Sequence, residues 1–482
     1  MKSTLFWGVN LAPFFAQVAT KVVHRGEFPG GSNSTCPPYC DYCTGEDNSC
    51  HYYSEEDQDL CEYRDCYREG GMPPIMTTQS IVSSFRKYSS KFALFFEPPI
   101  VWDARNEVLI FKPFSYNKST LAWHIGMLIT VDVVGLGSSI YVLSDQYYRN
   151  HGNLTDFLMI WFFAISDFYG FTLHYLFGVY GKDAVNGWNE MKRWHVKFTD
   201  PDYAKKFENP VVSKLDTLFT NLIRLYGSLP FLLTCSAMIM SFDNYFYVVQ
   251  SISVPLGLNC FSISTLHCIR FGMLLISTYE ICRLNCLVCL IVVYFLIMVR
   301  DVCSILTSKI GGNINLGNFK ELTSAYTSTF ISSKYYTSFQ ELGTLVAIFL
   351  GMLLCAIANF VTVKGFNILP TPIYVVFPAL SCNILVFVNA AMPHGNGVYI
   401  ATAGFLKKCD FYAARKGGFA GKYMRCKLRG MRPFLFFTGF GNIKVFVYDK
   451  DVRMEYFDRV SSVTVTLLLG VPDFVVSMQT VF

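Results

Sequence analysis

The stretch Met424–Phe482 reads MRCKLRGMRPFLFFTGFGNIKVFVYDKDVRMEYFDRVSSVTVTLLLGVPDFVVSMQTVF. It opens on a basic run, with Arg425, Lys427, Arg429 and Arg432 ahead of Pro433. An apolar patch follows from Phe434 to Phe440. A charged juncture then carries Asp449, Asp451, Arg453, Glu455, Asp458 and Arg459. From Val460 to Val471 the chain holds no charge, and Pro472 and Asp473 lie near the far end. Charges stay in water and the headgroup layer, whereas an uncharged apolar run enters hydrocarbon. The pattern is a membrane edge followed by a helix of about membrane length.

The rest of the chain agrees. Of its 482 residues 52% are apolar and only 16% charged, with mean hydropathy +0.34. A soluble domain carries about a quarter charged residues. The 16% aromatic content suits lipid-facing and interfacial positions. The net charge of +5 says less than the distribution of the charges.

Seven apolar spans are expected, at about 121–143, 154–180, 218–240, within 258–306, 342–363, 372–392 and 456–478. The fourth region is too long for one span, and Cys260–Ser277 and Leu284–Val299 could be two, joined by Thr278–Arg283. Counting Lys and Arg decides it, because cytoplasmic loops are enriched in them. With a single span there, the segments on one side hold 28 of these residues and those on the other hold 2. Splitting the region destroys the asymmetry. The fold class is therefore all-α: seven transmembrane helices over 121–482, a cytoplasmic pre-membrane segment at 81–120 and an extracellular C-terminus. Within the pre-membrane segment, a helix is expected near Ile81–Phe96. FEPPIVWDARNEVLIFKP then reads as a turn and short hairpin.

Residues 1–80 stand apart. Lys2 followed by Leu5–Ala19 resembles a signal peptide, with Val18-Ala19-Thr20 as a cleavage site. An acidic segment after it holds Cys36, Cys40, Cys43, Cys50, Cys61 and Cys66, read as disulfide candidates of a small Cys-rich module. Zinc is the rival, through Cys40-x-x-Cys43 with His51 nearby. It is weaker, since no second tight cysteine pair is present. Export of this module conflicts with a cytoplasmic residue 81, and the loop charges are the broader signal.

Asp132, Asp167, His174, Arg224, Arg270 and Glu280 fall at or near membrane depth. Ionisable residues are costly there and mark function or interhelical pairs. No P-loop, His-Glu-x-x-His or Gly-x-Ser-x-Gly occurs. Neither an enzyme, a metal, a cofactor nor a nucleic-acid partner is expected. A rhodopsin-like receptor would carry Asp-Arg-Tyr after the third span and Asn-Pro-x-x-Tyr in the seventh, and this sequence has neither.

The inverted topology, the run KLRGMRPFLFF…YFDRVSSVTVTLLL and the stretch PPIVWDARNEVLIF resemble the arthropod gustatory and odorant receptor superfamily. The likeness is nearest to the divergent receptors of springtails and other early-branching hexapods. It covers roughly 81–482. One departure stands out: the gustatory branch carries Thr-Tyr, several apolar residues and Gln-Phe in span seven, where this chain has Val463-Thr464-Val465-Thr466-Leu467-Leu468-Leu469.

The resemblance implies a plasma-membrane, multi-pass chemoreceptor subunit, assembled as a homo- or hetero-tetramer and opened by a small tastant or odorant. It implies a ligand-gated, non-selective cation channel with the last helix lining the pore. Ser461, Val463, Thr464, Leu467 and Asp473 are the pore candidates. Trp161, Tyr169, Tyr175 and Tyr226 are the ligand candidates, as aromatic side chains of spans two and three. A metabotropic receptor or a transporter of the same topology is the alternative.

Overall fold

In the computed structural model the described residues are 42–43, 50–51, 78–115, 117–149, 154–199, 210–241, 243–257, 259–310, 316–366, 369, 374–441, 443–447 and 452–470. The chain divides into two units, Met1–Ile75 and Met76–Phe482. In the first, β1 (Tyr42–Cys43) and β2 (Cys50–His51) pair antiparallel, with Cys43 opposite Cys50 in the backbone register. The remaining disulfide candidates, Cys36, Cys40, Cys61 and Cys66, lie outside the described residues.

The second unit begins with α1 (Thr78–Lys91). Its Ile81, Phe85 and Tyr88 are buried, as is Phe92 just past its end, a helical spacing that turns one face to the core. The helix stops five residues before Phe96, and a chain with Pro98 and Pro99 continues without regular structure. The expected hairpin follows as β3 (Ile100–Asp103) and β4 (Val108–Phe111), with Ile100 opposite Phe111. Asp103 closes its turn by accepting from the Arg105 and Asn106 backbone N–H groups and from the Asn106 side chain. These bonds, the Asn106 side chain foremost, hold Asp103 below the usual carboxylate range.

Span one is α2 (Lys118–Met127), a π-helical segment (Leu128–Gly135) and α3 (Leu136–Arg149). The π segment leaves the Thr130 carbonyl to accept from Tyr245 Oη at 2.8 Å. Spans two to six are α4 (Leu154–Phe198), α5 (Pro210–Met240), α7 (Cys260–Ser308), α8 (Leu316–Lys364) and α9 (Val376–Lys416). A short α6 (Asn244–Ser253) lies between α5 and α7. The Asp243 side chain caps it by accepting from Phe246 N–H. Then come α10 (Gly418–Arg429), the hairpin β5 (Phe437–Phe440) with β6 (Ile443–Val447), and α11 (Val452–Gly470).

The fourth region is one helix of 49 residues. At about 1.5 Å per residue it is far longer than the ~30 Å hydrocarbon core. α4, α8 and α9 likewise run well past their apolar spans, so much of what reads as loop is helix packed beyond the membrane. Tyr326–Ser338 is an example. It lies inside α8 with Thr329, Ser332 and Ser333 buried. Their hydroxyls donate back to Ala325, Ser328 and Phe330 carbonyls, which satisfies them without water.

α8 packs most broadly against α4, and α7 against α9, α5 and α4. Gly187 allows the α4–α8 approach, because a Cβ there would fall 2.9 Å from the Ser332 carbonyl oxygen. Among the described residues five helical stretches are long and apolar enough to cross a membrane. α4 and α11 are not among them, and α11 carries Arg453, Glu455, Asp458 and Arg459 in its first two turns.

The chain after the basic run plugs the bundle. Phe434 and Phe436 are buried while Leu435 between them is exposed. Phe434 meets Tyr326 and Phe330, and its N–H donates to Thr402 Oγ1 at 3.1 Å. Tyr326 stacks on Phe405 and donates to the Arg432 carbonyl at 2.7 Å. Gln340 Nε2 donates to the Phe437 carbonyl. Phe436 meets Phe295 edge-on, so α7, α8 and α9 are joined at the end of the bundle where the Lys and Arg residues collect.

Candidate functional site

α11 rests on α8 and α9. Tyr456, Val460, Thr464 and Leu467 form its buried stripe, at the spacing of one helix face. The opposite stripe, Asp458, Ser461, Ser462, Val465 and Leu469, is exposed in the protomer. Leu469 is 78% exposed and Leu467 one-tenth of that, so the two leucines face opposite ways. Of the pore candidates, Ser461 lies on the open stripe and Val463 is half-buried between stripes. Thr464 and Leu467 turn toward the protomer's own helices, and Thr464 Oγ1 donates to the Val460 carbonyl at 2.8 Å. Asp473 lies outside the described residues.

Two ligand candidates converge. Tyr169 of α4 donates to Asn285 Oδ1 of α7 at 2.5 Å, and Asn285 Nδ2 donates to Tyr226 Oη of α5 at 2.6 Å. Asn383 of α9 adds a bond to Tyr226 Oη at 3.2 Å. Four helices thus meet at one polar chain, with Tyr169 and Tyr226 buried. Asn383 also lines a half-open groove of about 340 Å³ walled by Leu218, Leu222, Leu225, Val386 and Phe387. A concave, mostly apolar space with few polar groups suits a small ligand.

The other two candidates stand apart. Tyr175 is 40% exposed and packs edge-on to Tyr180. Trp161 is half-buried, about two turns along α4 from Tyr169. The two asparagines are what sequence reasoning missed. Ionisable residues and aromatics stand out in the spans, whereas an amide inside an apolar span is equally costly and needs partners.

Five of the six ionisable residues at depth have polar partners within the bundle. His174 bonds Asp132 at 2.6 Å and His124 at 2.7 Å, joining spans one and two. Glu280 accepts from Trp123 Nε1 at 2.7 Å and from Arg283, which also donates to the Phe96 carbonyl. Arg270 holds Asp243 through two nitrogens, and Asp167 accepts from Ser139 and Asn244. These are buried charges compensated by partners, an arrangement that fixes the register between helices. Arg224 is different: it is exposed on α5. Among the described residues no three His, Cys, Asp or Glu side chains group as metal ligands.

No family model and no curated protein matches the sequence. Among solved structures the chain is similar to the insect olfactory receptor OR5 from Machilis hrabei in complex with eugenol. The TM-score is 0.51 at 9% identity, over 81% of this chain and 98% of that one. At that identity the likeness speaks for backbone architecture alone. The chain has the seven-helix membrane fold of an insect olfactory receptor.

Proposed function

We propose that this protein is a chemosensory receptor subunit of the arthropod gustatory and odorant receptor superfamily, acting in the plasma membrane as a ligand-gated, non-selective cation channel. The observation that carries the reading is the open stripe of α11 within an olfactory-receptor fold. A lone helix facing lipid has no use for Asp458, Ser461 and Ser462 on its exposed side. Around a tetramer axis the stripe makes a graded pore: an acidic ring at Asp458, hydroxyls at Ser461 and Ser462, and apolar constrictions at Val465 and Leu469 that gate by dewetting. Thr464 and Leu467 then anchor the helix, and Asp473 remains the candidate for a second acidic ring.

The ligand is a small tastant or odorant. It occupies the groove beside Asn383, and the Tyr169–Asn285–Tyr226–Asn383 chain links it to α7 and α9. The olfactory receptor with the similar fold was solved with eugenol, which supports a small organic ligand. Trp161 and Tyr175 remain contacts of lower rank.

The test is current recording from cells expressing the chain alone and with candidate partner subunits, over a panel of volatile and water-soluble organics. Ligand-evoked cation current without G protein is the expected result. Val465→Trp should abolish that current at unchanged surface expression. Asn285→Ala should raise the half-maximal ligand concentration roughly five- to tenfold, the worth of one or two hydrogen bonds. Second-messenger signalling without current would overturn the channel in favour of a metabotropic receptor.

A further inference from the structure

We infer that the edge between α1 and α5 is a binding site for the headgroup of an anionic phospholipid, held by Lys91 and Arg224. On α5, Asp216, Thr220 and Gly227 fall on one side, and α1 lies along it. Lys87 Nζ donates to Thr220 Oγ1 at 2.9 Å and pairs with Asp216 at 3.6 Å. One turn of α1 further on, the Lys91 stem crosses Gly227, where a Cβ would fall 2.8 Å from Lys91 Cγ. The missing side chain lets the lysine lie flat against α5. Arg224 sits between Thr220 and Gly227 in sequence, at the neighbouring helical position, and is exposed, as is Lys91.

The charge balance of this edge is uneven. Asp216 is matched by Lys87, Glu107 by Arg86 at 3.0 Å, and Glu97 by Lys112 at 2.6 Å. Among the described residues no carboxylate pairs with Lys91 or Arg224. Two exposed positive charges therefore remain on this edge, while Asp216, Glu107 and Glu97 are already paired.

Their depth selects the partner. Counting about 20 residues of helix for the hydrocarbon core from the Met240 end of α5 brings Arg224 within one turn of the far boundary. An arginine there snorkels to the headgroups. The chain just past Lys91 exposes Leu94 at 61% and Phe96 at 55%. Exposed apolar side chains beside unpaired cations are an interfacial arrangement, which fits a lipid with its tails against α5 and its phosphate on the two cations. A soluble anion would gain nothing from Leu94 and Phe96.

The test uses the full chain, purified in mild detergent and titrated with phosphatidylserine or phosphatidylcholine under native mass spectrometry. The wild type should hold phosphatidylserine in roughly twentyfold preference, from about a fivefold gain per cation. Lys91→Gln with Arg224→Gln should lose that preference while eluting as a folded species, and Arg224→Lys should keep most of it. Lys422→Gln with Arg425→Gln, on the exposed face of α10, should leave it unchanged. Equal binding of both lipids by folded wild type would overturn the site. So would an unchanged preference in the folded Lys91/Arg224 double variant. Glycerophosphoserine, which lacks tails, should fail to compete at equal concentration. Full competition by it would show a simple anion site and overturn the lipid assignment. None of these readouts requires channel activity.

Discussion

Along α7, every side chain from Cys286 to Val299 is buried; along α11 only Tyr456, Val460, Thr464 and Leu467 are. Both helices read as apolar membrane spans. α7 is surrounded by α4, α5, α8 and α9, so its uniform hydrophobicity serves the protein interior rather than lipid. α11 touches two helices and leaves the rest of its surface open. A helix apolar all round is a core helix or a lipid helix, and composition does not separate these. Under the proposed function the mixed stripe of α11 has a third meaning, a surface completed by other copies.

Mutations at the two helices should separate in size. Tyr294→Ala in α7 is expected to be the most damaging. The ring is fully buried against Phe85 and Phe219, and its hydroxyl donates to Ser84 at 2.6 Å. Its removal should cost about 3–5 kcal/mol and prevent recovery of monodisperse protein on size exclusion. Leu467→Ala, on the buried stripe of α11, should cost about 2–3 kcal/mol, read as a lowered melting temperature in detergent. Val465→Thr, two residues away and on the open stripe, should stay within about 0.5 kcal/mol yet alter conductance. Equal destabilisation at Val465 and Leu467 in the isolated protomer would break the two-sided reading of α11.

The number of spans, the single fourth helix and the β3–β4 hairpin were legible in the sequence. Hydrophobic length and loop charge are local sums, and Pro98-Pro99 marks the approach to the hairpin. The extent of the helices was not legible. Tyr326–Ser338, rich in hydroxyls, reads equally as exposed loop or cytoplasmic helix, and packing of α8 on α4 with back-bonding to carbonyls selects helix. Of the four ligand candidates, the structure brings two into one hydrogen-bonded chain. Tyr169 and Tyr226 come from an aromatic pattern that also yields Tyr175, which points outward. Asn285 and Asn383 become meaningful only once four helices meet.

By itself, the sequence determined that this chain is a polytopic helical membrane protein, because transfer of apolar runs and exclusion of charges from hydrocarbon depend on composition alone. It also placed a helix in the run after Arg459, which α11 contains. The tertiary structure decided which side of that helix is free. That choice turns on which neighbours cover Thr464 and Leu467 and leave Ser461, Val465 and Leu469 bare, and packing between helices distant in sequence is not written in any one of them.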